Sequence, residues 1–218
     1  MLKQFKSTSL ADQVFDRLEN DIIQGAYPKG ELLTELKLVE HLGVSRTPIR
    51  EALRRLEQER LIEDAGKGSR VLGITESDLL DIMTIRERVE GVAAYYATLN
   101  MTPENLKEMT HLVDLQEFYF EKKDAERLRQ VDDQFHDNIC YMSKRTVITD
   151  TLIPLHRKTR RYRRIAMDDW ARATKTKAEH YEIYKAIASG DAELAEKLTA
   201  QHITNAKLHM MEGLKNNG

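Results

Sequence analysis

GVSRTPIREALRRLE, residues 43–57, begins with a helix breaker, Gly43, and then Ser45, which can cap a helix starting at Arg46. Pro48 is tolerated in a first helical turn, where a missing N–H loses no intrahelical bond. Ile49, Ala52, Leu53 and Leu56 recur at three- and four-residue steps and define one apolar side. Arg46, Arg50 and Arg54 lie four apart, nearly on one stripe of the opposite side. A helix that enters a major groove needs this division: reaching side chains near its N-terminus and an apolar back that fixes it to a scaffold. Arginine can donate two hydrogen bonds to guanine or anchor a phosphate, and Ser45 and Thr47 can hold backbone phosphate at the helix start. An arginine stripe alone is also ordinary solvated helix surface, so the neighbouring elements must separate the two readings.

Upstream, Leu10, Val14, Phe15, Leu18, Ile22 and Ile23 mark the buried face of one helix, which Gly25, Pro28 and Gly30 end. Thr34 can cap a short second helix carrying Leu36, Leu38, Val39 and Leu42. The reading is therefore helix, four-residue turn, helix. Downstream, IEDAGKGSRVLGI, residues 62–74, places short β-type runs on either side of Ala65–Ser69, and Gly66 and Gly68 can supply positive φ, which predicts a small hairpin or wing. From Thr75 on, only helical periodicities occur, predicted over 76–99, 103–122, 124–142, 147–170, 175–188 and 191–214. The expected fold is mainly α: an N-terminal winged helix-turn-helix over residues 1–74, then an all-helical antiparallel bundle over 75–218.

The bulk properties agree with a soluble two-domain chain. Among 218 residues, 41% are hydrophobic and 32% charged, and no apolar run approaches the ~20 residues of a membrane span. The start, MLKQFKSTSLADQVF, has no apolar stretch or small-residue cleavage site behind its lysines, so no signal peptide is expected and a cytoplasmic location follows. The lone Cys140 reads as a buried, inert thiol. Net charge is −2, so any nucleic-acid contact must be local, and the arginines packed into 46–55, opposed only by Glu51, supply the local excess.

The second half offers one group with metal-ligand character. Asp132 and His136 stand i, i+4 in VDDQFHDNI, bringing a carboxylate and an imidazole to one helix face. His180 and His202 are 22 residues apart across the break at Ser189, Gly190 and Asp191, so in an antiparallel helix pair they sit at similar height. Three imidazoles and a carboxylate suit Zn²⁺, Ni²⁺ or Mn²⁺, with positions left for water or an organic acid. Each piece also has an ordinary structural explanation, because Asp/His pairs at this spacing are common on helix surfaces. Asp133 is the weaker carboxylate, and His41, His111, His156 and His209 read as structural or exposed. In HRKTRRYRR, residues 156–164, Leu155, Thr159, Tyr162 and Ala166 form an inward stripe and most arginines point outward, a minority being able to reach an anionic ligand.

The run from Leu10 to Ile62 with AGKGSRV, residues 65–71, above all GVSRTPIREALRRLE, resembles the N-terminal domain of GntR-family regulators. The resemblance implies operator contacts from Ser45, Arg46, Thr47 and Arg50, with Gly68 shaping the wing tip. Two positions depart from the family pattern: Leu36 stands where some relatives carry a DNA-contacting arginine, and Glu59-Arg60 replaces a small glycine-containing turn. The rest, carried by IRERVEGVAAYYA, VDDQFHDNI and AEHYEIYKAIASGDAELAEKLTAQH, resembles the FCD domain of the FadR group. That resemblance implies divalent-metal coordination by Asp132, His136, His180 and His202, a small carboxylate effector reaching the metal, and Arg86 facing the same cavity; Arg145 stands where many relatives have asparagine. The expectation is a homodimeric regulator of double-stranded operator DNA, acting on a near-palindromic site, with a structural, ligand-orienting metal and no enzymatic activity or membrane partner.

Overall fold

The computed structural model describes residues 9–216; within that range the side chains of residues 164–167 and 214–216 lie outside the described set. Two compact units divide the chain, Met1–Glu76 and Ser77–Gly218.

In the first unit, α1 (Leu10–Gln24) starts with a capping box, in which Ser9 Oγ accepts from the Asp12 N–H and Asp12 accepts from the Ser9 N–H. Thr34 caps α2 (Glu35–Leu42) by accepting from the Lys37 N–H. The turn to α3 (Arg46–Gln58) is residues 43–45, one shorter than expected, because Gly43 adopts φ 66 and closes α2 through its own N–H to the Val39 carbonyl. Ser45 stands at the N-cap of α3, yet its hydroxyl makes no cap hydrogen bond. β1 (Leu32–Leu33), β2 (Ile62–Asp64) and β3 (Ser69–Val71) form an antiparallel sheet in the order β1-β3-β2, with Leu33 opposite Ser69 and Ile62 opposite Val71. Leu18, Leu38, Ile49, Ala52, Leu56, Leu61, Ile62 and Val71 close one core under the three helices and the sheet. Burying the Ile49 face of α3 against α1 leaves the arginine stripe in solvent.

The second unit is helical throughout its described residues: α4 (Glu76–Leu99), α5 (Pro103–Glu121), α6 (Ala125–Met142), α7 (Thr146–Asp168), α8 (Trp170–Ala188) and α9 (Ala192–Asn216). The expected break at residues 171–174 is not there. Asp169 alone separates α7 from α8, its carboxylate accepting from the Ala171 and Arg172 N–H groups, so residues 171–174 belong to the start of α8. α6 packs between α5 and α7, and α8 lies against α5, α7 and α9. Ala93, Ala97, Met109, Phe135, Ile139, Leu152, Ile183 and Ile187 form the bundle core. Small residues let α4 approach α9 closely, and a Cβ on Gly91 would meet the Glu196 carbonyl oxygen at 2.8 Å. No described helix is long and apolar enough to cross a membrane.

Candidate metal centre and nucleic-acid interface

Ser45, Arg46, Thr47, Arg50 and Arg54 are all exposed along α3, whereas Pro48, Ile49, Ala52 and Leu53 are buried. Arg50 Nε donates to Glu35 Oε1 at 2.7 Å, and that bond holds the Glu35 carboxyl below its ordinary value. Arg55 turns the other way: it pairs with Asp12 at 2.7 Å and lies 3.9 Å above the Phe15 ring, tying α3 to α1. In the wing, Gly66 donates to Asp64 Oδ1 at 2.9 Å. Gly68 adopts φ 151, and a Cβ there would stand 2.5 Å from the Leu33 carbonyl oxygen, so the β2–β3 loop can sit on β1 only with glycine at this place. Leu36 is exposed in the first turn of α2.

In the second unit, His136 from α6, His180 from α8 and His202 from α9 come together in the interior, each at most 3% exposed. His202 Nε2 lies 3.3 Å from both His136 Nε2 and His180 Nε2. Asp132 Oδ1 is 3.8 Å from His180 Nε2, so the fourth sequence candidate borders the cluster. Phe135 stacks on His180, with ring centroids 4.2 Å apart, and fixes its plane.

Outward, every ring has a partner at Nδ1. His136 Nδ1 is 2.9 Å from Glu90 Oε2, His202 Nδ1 is 2.6 Å from Glu179 Oε2, and His180 Nδ1 is 2.9 Å from the Gln116 side-chain amide. A nitrogen beside a carboxylate must carry the proton, and a neutral imidazole has only one. Burial lowers His136 to about 3 and drives His180 well below its ordinary value, which keeps both rings neutral. His136 commits its one proton to Glu90 through Nδ1, so its Nε2 presents a lone pair toward His202 Nε2 at 3.3 Å, an arrangement that a shared cation satisfies. A tetrahedral ion with bonds of about 2.0–2.1 Å places its ligands about 3.3 Å apart, so the donor set fits a divalent metal.

Burial works to raise the Glu90 carboxyl, but Arg86, His156 and His136 outweigh it and hold the group well below the carboxylate range. Likewise, burial opposes the ionised form of Glu179, yet hydrogen bonds from His202 and Arg172 bring it to about 2. Asp132 is raised by burial, against the pull of Arg163.

Beside the histidines lies a cavity of about 40 Å³, several times the roughly 10–15 Å³ that one ordered water needs. His136, His202, Asp132, Arg86, Arg163, Arg172, Thr159, Tyr162 and Thr176 supply its polar wall, and Met83, Ile203, Ala206 and Met210 the apolar one. Arg86 does line it, although its Nε is bonded to Glu90 and its Nη1 donates to Thr159 Oγ1 at 2.8 Å.

Sequence reasoning missed Glu90, Gln116, Glu179 and Thr176, and it expected an inward arginine in 156–164 without singling out Arg163. Glu90 had a signal, since it stands four residues after Arg86 on the same helix face; Gln116 had none. His156 is structural but far from idle, with its two nitrogens 3.0 Å from Glu90 Oε1 and 2.7 Å from Asp137 Oδ1. Asp133 is taken up by Arg160 and Arg163. In the 156–164 run Thr159 is buried and inward as expected, Arg163 also faces the cavity, and Ala166 falls outside the described side chains.

Set beside known proteins, residues 10–71 match the model of bacterial regulatory proteins of the gntR family, and residues 81–205 match that of the FCD domain. The chain belongs to the GntR family of transcriptional regulators, in the branch that carries an FCD domain. It is 30% identical over 206 residues to the HTH-type transcriptional regulator McbR of Escherichia coli, covering 94% of this chain and 85% of that one. It is 24% identical over 192 residues to the HTH-type transcriptional repressor RspR of the same species, covering 88% and 84%. The solved structure of E. coli McbR/YncC superposes with a TM-score of 0.79 at 24% identity, over 94% of this chain and 99% of that chain, which shows the same fold.

Proposed function

We propose that this regulator binds a near-palindromic operator as a homodimer and responds to a small carboxylate that enters the bundle beside a divalent metal. Ser45, Arg46, Thr47 and Arg50 contact DNA, with the Gly68 wing alongside; twofold symmetry gives two short helices the combined affinity that one lacks. Asp132, His136, His180 and His202 hold the metal, with zinc, nickel and manganese all compatible with the donor set. The observation that carries this reading is the convergence of three buried histidines whose Nε2 atoms face one another, that of His202 lying 3.3 Å from each of the other two, with Glu90 and Glu179 on the outer nitrogens of His136 and His202.

Charge explains why an anion follows. Each arginine of the cavity already faces a carboxylate: Arg86 faces Glu90, Arg163 faces Asp132 and Asp133, and Arg172 faces Glu179. Side chains alone leave little cationic surplus; a divalent ion supplies it, and a carboxylate neutralises it. The metal orients the effector and is not catalytic. The effector acts by binding differently to two populations of the dimer, one matching the operator and one not. Such a regulator works in the cytoplasm.

The test pairs metal analysis of the purified full chain with its binding to DNA flanking its own coding region, with and without small organic acids. Near-stoichiometric metal and an acid-dependent change in site-specific binding are expected. A metal-free protein ends the metal reading, and no preference for any genomic site over random duplex ends the operator reading.

A further inference from the structure

Arg163 is the arginine of the cavity whose hydrogen bonding is unfinished. Its Nη2 is anchored, 2.8 Å from Asp133 Oδ1 and donating to the His156 carbonyl at 3.1 Å. Its Nε and Nη1 are buried and have no hydrogen-bond partner. Nη1 approaches Asp132 Oδ2 only to 3.6 Å, within ion-pair range and beyond a hydrogen bond. Thr176, 2% exposed in the wall of the same cavity, also has a hydroxyl with no partner. Buried donors left unmade are rare in folded chains and call for a ligand or a water. The other two arginines differ, because Arg172 gives both terminal nitrogens to Glu179 at 3.1 Å and Arg86 is held by Glu90 and Thr159.

The opposite requirement comes from Met83, Ile203 and Met210, which offer aliphatic and thioether surface and no hydrogen-bonding side-chain group beyond a weakly accepting sulfur. A carboxylate with a short hydrocarbon tail satisfies both halves. A polyhydroxylated sugar acid does not, since each hydroxyl turned toward the apolar side loses its water without replacement.

We infer that Arg163 and Thr176 grip the carboxylate of a short-chain aliphatic monocarboxylic acid, and that the Met83, Ile203 and Met210 wall selects it over polyhydroxylated acids. This rests on the acid-sensing reading above and adds to it the gripping residues and the ligand class. Arg163 and Thr176 hold the carboxylate, the apolar wall sets the selectivity, and the metal held by the histidines supplies the charge.

The experiment is calorimetric titration of the full-length, zinc-loaded protein with acetate, butyrate, hexanoate and gluconate, at constant ionic strength set with chloride. At least one of the aliphatic acids is expected to bind about tenfold or more tightly than gluconate. Thr176→Val, nearly isosteric, and Arg163→Lys, which keeps the charge but loses the guanidinium donors, should each weaken that acid by about fivefold or more, Arg163→Met by more still. Zinc content, read by mass spectrometry on every variant, should stay at the wild-type level. Gluconate binding as tightly as the best aliphatic acid, unchanged aliphatic affinity in folded Thr176→Val and Arg163→Lys, or no aliphatic acid binding at all would each overturn the inference. Zinc content reports on the metal reading and the variant-to-wild-type affinity ratio on this one, so the two can fail separately.

Discussion

The two units of this chain hold their charged residues in opposite environments. In the first, the arginines that face outward on α3 stand in water, and the Arg50–Glu35 pair has side chains 64% and 36% exposed. In the second, the Arg86–Glu90 pair is 2% and 3% exposed, and both nitrogens of His156 face carboxylates in the interior. An exposed pair is screened and exchangeable, so its arginine can trade a carboxylate for a phosphate or a base edge at little cost. A buried network can change partners only if every desolvated charge stays matched. One surface can exchange its ion-pair partners at little cost; the other admits only a partner that keeps its buried charges matched.

The sharpest way to break this contrast is to delete one carboxylate from each unit. Glu90→Ala strands Arg86, His136 and His156 in the interior and should destabilise the bundle by about 3–5 kcal/mol in chemical denaturation. Glu35→Ala should leave the unfolding midpoint nearly unmoved. Equal losses would mean that burial does not separate the two networks. The next effect concerns binding. Arg46→Ala combined with Arg50→Ala should lower operator affinity about a hundredfold or more in a gel-shift or anisotropy titration, with an unchanged melting temperature. Unchanged affinity in a folded protein would remove α3 from the DNA interface.

The same contrast explains what could be read from the residues alone. The head is a local object: α2, turn, α3 and wing follow one another within about 40 residues, and the glycines, caps and apolar spacing that define them are contiguous. The bundle site is assembled from all six helices, α4 to α9, and only residue types with metal chemistry announce themselves. His180 and His202 could be paired because a helical hairpin makes their height calculable from the bend. Glu90, Gln116 and Glu179 could not, since a carboxylate or amide that orients a histidine looks like any other until packing brings it within hydrogen-bond reach. The α7–α8 break was misplaced for a related reason: a one-residue cap at Asp169 has no composition to detect.

Within the head, the wing tests whether backbone geometry or side-chain chemistry positions the DNA surface. Gly68→Ala puts a methyl against the Leu33 carbonyl oxygen at a φ of 151 and should cost about 2–3 kcal/mol of stability to the first unit, read as an earlier unfolding transition. A stable Gly68→Ala protein that has lost operator binding would instead assign the glycine to close approach of DNA.

The smallest effect sits at the turn that leaves α3. Arg60, just after α3, adopts φ 57, the left-handed region that glycine enters freely and a side chain enters at a cost of about 1–2 kcal/mol. Its backbone is fixed there, because the Arg60 N–H donates to the Glu57 carbonyl and the Leu61 N–H to the Leu56 carbonyl, which turns the chain from α3 into β2. Arg60→Gly relieves that cost but gives the unfolded chain more freedom, worth about 0.4–1 kcal/mol in the other direction. The difference predicts a stabilisation of about 0.5–1 kcal/mol, measurable as a small rise in the denaturation midpoint of the first unit. Operator affinity should change little, since removing one exposed charge outside the α3 stripe shifts only the salt-dependent background. A destabilised Arg60→Gly protein would show that the arginine side chain holds the turn, and that the exposed face of the head carries more structure than its solvent accessibility suggests.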